Sequence, residues 1–249
     1  IVGPGDTLGA LAARELDTPE RWRDVALYND IRNQYAVPIG TALRIRPEWL
    51  KSDPVVIAVE AVGGQATIDG TAATANSKPR EGSMISTSAT GTIELRLPDG
   101  TYLRIPPSSS IKVERLRSYH GNAAVDARIL LERGGVEAQS PPARGYPLEI
   151  RSPAGNAAVR GTDFRVRSEP GNGFIEVLTG AIAATSAAGN ATIGKLEGGV
   201  VSPTRAPQVE NLLAPPALAS LDGQRFGSTT IEIAVQPVPL AREYRVDLA

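Results

Sequence analysis

Side chains able to do covalent chemistry are scarce in this chain. Its one histidine, His120, stands in Ser118-Tyr119-His120-Gly121-Asn122, a loop by composition, and there is no cysteine. That leaves no means of building a serine–histidine–acid triad, a thiol nucleophile or a histidine-rich metal cluster. Carboxylates remain, and two of them flanking a glycosidic bond is the hydrolytic chemistry they allow. Asp69, Asp99 and Asp222 each precede a glycine, where an aspartate ordinarily bonds the backbone of a turn. Asp163 differs, because it lies between Thr162 and Phe164 where a strand should enter a core. It reads as a half-buried carboxylate that accepts backbone N–H bonds or pairs with Arg160; the functional alternative is a contact to a partner. Binding is therefore predicted rather than catalysis, with no metal and no cofactor.

The elements that would carry such contacts follow from the residue pattern. The chain has 249 residues, and its composition breaks divide it at residues 1–49, 55–201 and 202–249. Hydrophobic residues make up 41% and aromatics only 4%, so small aliphatic side chains must do the packing. Lysine and arginine number 26 against 27 acids, and the charges alternate along strands instead of clustering. No basic patch with interleaved aromatics is visible in the sequence, which argues against a nucleic-acid partner. No apolar run approaches the roughly 20 residues that span a bilayer, and because the chain opens inside a motif the absence of a signal peptide says little.

In residues 1–49, Gly3-Pro4-Gly5 makes a turn and Asp6 or Thr7 caps a helix whose inward face is Leu8, Leu11, Ala12 and Leu16. Thr18 and Pro19 start a second helix with Trp22, Val25 and Ala26 inward and Tyr28 as a further candidate for that face, closing on Asn29. Leu43 and Ile45 then predict a strand after the turn Val37-Pro38-Ile39-Gly40. Gly5-Asp6-Thr7-Leu8, Ala12, Trp22, Asn29 and Gly40-Thr41-Ala42-Leu43-Arg44-Ile45 resemble a LysM domain, a small βααβ fold. The resemblance implies binding of peptidoglycan or another N-acetylglucosamine-containing glycan. Its groove would be lined by Gly5, Asp6, Thr7 and Leu8 on one side and by Asn29, Ile31, Pro38 and Ile39 on the other. The plainer reading is that Asp6, Thr7 and Asn29 only cap helices. The stretch Arg46 to Pro54, with two prolines and four charges, reads as a boundary, with Trp49 wedged between domains or stacked on a sugar.

From Val55 the pattern becomes strands with turns every eight to twelve residues. Leu95, Leu97 and Leu103 about Pro98-Asp99-Gly100 predict a hairpin, and Ile129-Leu130-Leu131 before Gly134-Gly135 predicts another. A weak glycine repeat runs through Val62-Gly63-Gly64, Arg133-Gly134-Gly135, Thr179-Gly180 and Glu197-Gly198-Gly199. It suits a rolled sheet, a solenoid-like stack or a sandwich. Glu81-Gly82-Ser83-Met84-Ile85-Ser86-Thr87, the hairpin of Leu95 to Leu103, and Arg160-Gly161-Thr162-Asp163-Phe164 resemble the FecR domain of bacterial envelope proteins, over roughly Val55 to Val201. The resemblance implies a periplasmic β-rich module and no reaction; the family is known from the sensor half of anti-sigma regulators. The Arg160–Phe164 motif is read as mainly structural.

In the last part, Pro203, Pro207, Pro215 and Pro216 form a proline-rich connection. Ala219 to Phe226, Thr230 to Val235 and Pro237 to Leu248 resemble the opening half of a fibronectin type III or immunoglobulin-like domain. Taken together, the sequence predicts a mainly β, non-catalytic envelope protein, periplasmic or secreted. Its first unit would hold peptidoglycan and its β module a protein partner. The alternative is a periplasmic sensor or signal-transduction component related to FecR regulators.

Overall fold

The structure is a computed structural model that describes residues 1–119, 125–142, 146–216 and 236–241. His120, Asp222 and most of the immunoglobulin-like stretch lie outside the described residues. The architecture is mainly β, in keeping with the alternating pattern, and among the described residues helix is confined to the first fifty.

Helix α1 (Leu8–Glu15) is capped by Thr7, whose hydroxyl accepts the Ala10 N–H at 3.1 Å. Its buried Leu8 and Ala12 pack with Leu16 and with Val25 and Ala26 of α2 (Trp22–Tyr28). The strands expected to flank these helices reduce to one contact. The Val2 N–H donates to the Thr41 carbonyl at 2.9 Å, and the Gly40 N–H donates to the Val2 carbonyl at 2.8 Å. Leu43 and Ile45 are extended chain and not a strand. The reason is partly local and partly tertiary. Gly3-Pro4-Gly5 turns the first segment away at once, and the Asn29 side chain takes both backbone groups of Arg44, at 2.7 Å and 2.8 Å. A side chain thus does the work of a neighbouring strand.

The boundary stretch is ordered structure. Leu50 bridges to Leu16. The Asp17 N–H donates to the Trp49 carbonyl at 2.9 Å, and the Lys51 N–H to the Glu15 carbonyl at 2.8 Å. Trp49 packs into the small core of the helices. The chain passes straight into β1 (Ser52–Pro54), which pairs antiparallel with Arg117, Ser118 and Tyr119.

Seventeen strands follow among the described residues. They are β1, then β2 (Ala58–Gly63), β3 (Ala66–Ile68), β4 (Thr71–Ala72), β5 (Met84–Thr87), β6 (Thr92–Arg96), β7 (Tyr102–Ile105), β8 (Ser110–Tyr119) and β9 (Val125–Gln139). The rest are β10 (Leu148–Ser152), β11 (Gly155–Val159), β12 (Asp163–Glu169), β13 (Asn172–Thr179), β14 (Ile182–Ser186), β15 (Gly189–Ile193), β16 (Glu197–Ser202) and β17 (Arg205–Asn211). They connect into one mixed, open sheet that folds into two layers. The first runs β4-β3-β5-β8-β9-β10-β11-β14-β15. The second runs β2-β6-β7-β9-β12-β13-β16-β17. Between them lies a single core of alternating aliphatic residues around Phe164, which is fully buried.

Strand β9 belongs to both layers. Up to Arg133 it pairs with β8 and, in parallel, with β10; from Gly134 it pairs with β12 and β7. Gly134-Gly135 is therefore not the turn of a hairpin, as the sequence suggested, but the bend that carries one strand between layers. Gly134 has φ +78°, and a Cβ there would lie 2.6 Å from Ser109 Cα and 2.7 Å from the Ser108 carbonyl. Ser109 completes the bend by accepting the Gly135 N–H at 2.9 Å. Gly63-Gly64, Gly161 and Gly180 lie at crossings of the same kind, between β2 and β3, β11 and β12, and β13 and β14. The repeat seen in the sequence largely marks changes of layer.

Gly134→Ala is expected to destabilise the fold by about 3 kcal/mol, since left-handed strain adds to backbone overlap. At Gly171, with φ +82° and open space around it, alanine is expected to cost only about 1 kcal/mol. Urea unfolding of both variants checks this, and equal losses would remove the overlap from the account.

Candidate partner-binding face

The outward face of the second layer collects the side chains most capable of recognition. Strand register lines them up in rows that cross the sheet. One row reads Glu94, Arg104, Glu137, Arg165 and Glu176 over β6, β7, β9, β12 and β13, with alternating charge. Arg104 reaches Glu137 at 3.5 Å and Arg165 reaches Glu176 at 3.7 Å. The neighbouring row reads Gly135, Arg167, Phe174, Val200 and Gln208. The Arg167 guanidinium lies 4.8 Å from the Phe174 ring centre and also pairs with Glu169 at 3.3 Å.

Where the outward position is glycine the face hollows. A groove of about 370 Å³ forms over Gly134 and Gly135, walled by Pro106, Pro107 and Phe174. A second, of about 240 Å³, forms over Gly198 between Phe174 and Leu212–Leu213. Arg167, Phe174 and Glu176 line both, so the two are one channel divided by a cation–aromatic ridge. A half-buried aromatic ring with paired charges around it is suited to a polypeptide partner, since such groups dominate protein interfaces.

Electrostatics sharpen the rim. Burial, then the hydrogen bond to Glu94, raises the Tyr102 hydroxyl to about 12. Burial also raises the Asp163 carboxyl, Glu137 adds to that rise and Arg165 opposes it. The expected pairing of Asp163 with Arg160, or with backbone donors, is not what the described residues show. The Asp163 N–H instead donates to the Thr179 hydroxyl at 3.1 Å.

The other sequence-predicted residues are placed as follows. Arg160 is exposed, Thr162 and Phe164 are buried, and Gly161 has φ +64°. Thr162 donates its hydroxyl to the Arg160 and Ala181 carbonyls, at 3.1 Å and 3.2 Å, and accepts the Ser140 N–H on its own carbonyl. This motif is thus a corner where three chain segments meet. In the first unit, Asp6 accepts the Gly3 N–H at 2.8 Å, Leu8 is buried, Asn29 clamps Arg44 and Ile31 packs on the helices. Gly5, Pro38 and Ile39 stay exposed. Asp99 bonds its own turn, accepting the Thr101 N–H at 3.0 Å, whereas Asp69 reaches out of its turn to the neighbouring strand and accepts the Met84 N–H at 2.8 Å. Phe174 was missed, although the signal was present: it stands in phase with Asn172 and Glu176, on the polar side of β13.

The family comparison falls on this face. The family model described as FecR protein matches residues 83–183. Residues 83–183 are a FecR domain. The whole 370 Å³ groove lies within it, while the first unit and β16 and β17 lie outside it. Two crystal structures of a "putative anti-sigma factor" from Parabacteroides distasonis ATCC 8503 are similar at 18% and 19% identity, with TM-scores of 0.44 and 0.43. Each similarity covers 52% of this chain and 59% of the other. No curated protein matches the chain.

A carboxyl whose folded pKa is raised contributes most stability below its unfolded value, and that contribution is lost as pH climbs through the folded value. Asp163→Asn is therefore expected to raise the thermal midpoint at neutral pH, with the gain fading below about pH 4. Melting curves across that range check the sign, and a variant less stable than the parent at neutral pH would refute it.

Proposed function

We propose that this chain is a non-catalytic signalling component of the FecR kind, acting in the periplasm or cell envelope. Its β module receives a protein partner on the outward face of the second layer. The observation that carries the reading is the coincidence of the FecR domain with the groove over Gly134-Gly135 and its Phe174–Arg167 ridge. Among the described residues no helix is long and apolar enough to cross a membrane. A photo-crosslinking residue in place of Phe174 is expected to give a discrete adduct in cells. The same residue in place of Lys112, exposed on the first layer, is expected to give none. Equal adducts at both, or an adduct at Lys112 alone, would discard this face.

A second reading concerns the first unit, which we propose holds peptidoglycan. Its support is the bonding of Val2 to Gly40 and Thr41, which sets the Gly5 turn beside the Pro38–Ile39 turn and leaves Ile39 exposed at 67%. A groove this shallow binds weakly, on the order of micromolar to millimolar, and a polymer would supply avidity. The full chain is expected to pellet with purified peptidoglycan, and Ile39→Asp to reduce the pelleted fraction several-fold. Equal pelleting of the two proteins would sink the groove assignment.

A further inference from the structure

The first unit carries a second cluster that neither reading uses. At the end of α2, the Tyr28 ring holds two guanidinium groups, Arg44 at 5.4 Å and Arg46 at 5.2 Å from its centre. Arg46 also lies 5.4 Å from the Trp49 ring, and the two rings meet edge to face at 5.7 Å. Arg44 is fixed further by donating to the Tyr28 carbonyl at 3.2 Å. Guanidiniums stacked on a ring are held in place while their in-plane N–H groups point away, ready for a carboxylate. Little neutralises them. Arg46 has only Glu48 at 3.9 Å, with both side chains about half exposed, and Arg44 has no ion pair among the described residues.

Apolar surface is exposed at the same end of α2. Leu27 is 82% exposed and Tyr28 40%. Arg23, one helical turn before Leu27, stacks on Trp22 at 4.8 Å. An anionic polymer would want a continuous positive track, yet Asp17 and Asp24 hold Arg21 at 2.5 Å and 3.6 Å. It would also leave Leu27 uncovered. Arginine, tyrosine and tryptophan beside an exposed aliphatic side chain is the composition of a protein interface centre.

We propose that the corner of Tyr28, Arg44, Arg46 and Trp49, with Leu27, docks a segment of a partner protein carrying a carboxylate beside an aliphatic side chain. The site lies outside residues 83–183 and does not depend on the partner of the β module. The test uses the full chain and two dye-labelled peptides, one alternating glutamate and leucine, the other glutamine and leucine, followed by fluorescence anisotropy at low ionic strength. The glutamate peptide is expected to bind about tenfold more tightly. Arg46→Gln should bring it down to the level of the glutamine peptide, and Arg46→Lys should restore only part of the difference. Leu27→Ser, at an exposed position, should weaken both peptides about threefold with an unchanged melting temperature. Equal affinity of the two peptides, no binding of either at millimolar concentration, or indifference to Arg46→Gln would overturn the proposal. So would polygalacturonate binding as tightly per carboxylate with Leu27→Ser silent, because that result assigns the patch to acidic glycans.

Discussion

The fold depends on backbone approaching backbone more closely than a side chain allows. A Cβ at Gly180 would lie 2.7 Å from the Gly161 carbonyl, one at Gly161 2.8 Å from Pro142 Cα, and one at Gly64 2.5 Å from the Thr90 carbonyl. Each site is a change of layer or abuts one. Two sheets filled with valine, isoleucine, leucine and alanine pack closely, and the chain must cross between them within two or three residues. Only a left-handed, side-chain-free backbone does so cheaply. Thr162 then satisfies the polar groups that such a corner buries, and Thr87 does the same near β9, donating to the Pro106 carbonyl at 2.7 Å and accepting the Ser109 N–H at 3.0 Å. Buried polar groups left unpaired there would cost more than the packing returns.

Much of the fold was legible because it is set locally. The hairpin of Leu95 to Leu103 follows from Pro98-Asp99-Gly100, and the structure closes it with the Gly100 N–H on the Leu97 carbonyl at 2.9 Å. Period-two alternation marked the core residues of β12 and β13 correctly. The role of Gly134-Gly135 was not legible, since a positive φ serves a hairpin turn and a bent strand alike. The contact with Ser108 and Ser109, some 25 residues away, selects between them. Asn29 shows the same limit: the sequence reveals a helix end, whereas the bonds to Arg44 that prevent a flanking strand are tertiary.

The candidate faces were less legible for a related reason. The charge row from Glu94 to Glu176 draws one residue from each of five strands, so it exists only once register is fixed. Phe174 alone left a signal in the sequence, as an aromatic on the polar phase of β13, and that signal went unread. The arginine–aromatic corner is assembled from positions 28, 44, 46 and 49, spaced too widely for sequence to read as a basic patch.

These faces differ in how they manage charge, and the difference bears on what each can hold. On the second layer the arginines are spent on neighbouring carboxylates, Arg104 on Glu137, Arg165 on Glu176 and Arg167 on Glu169. Pairs as exposed as the latter two add little stability, but they fix side chains around a groove and leave its apolar ridge to supply affinity. At the helical corner the guanidiniums rest on rings and keep their donors open. A partner meeting the first face gains mainly by shape and apolar contact, and one meeting the second gains by charge. The two faces belong to one connected framework, because β1 follows directly on the helical unit and pairs its backbone with β8.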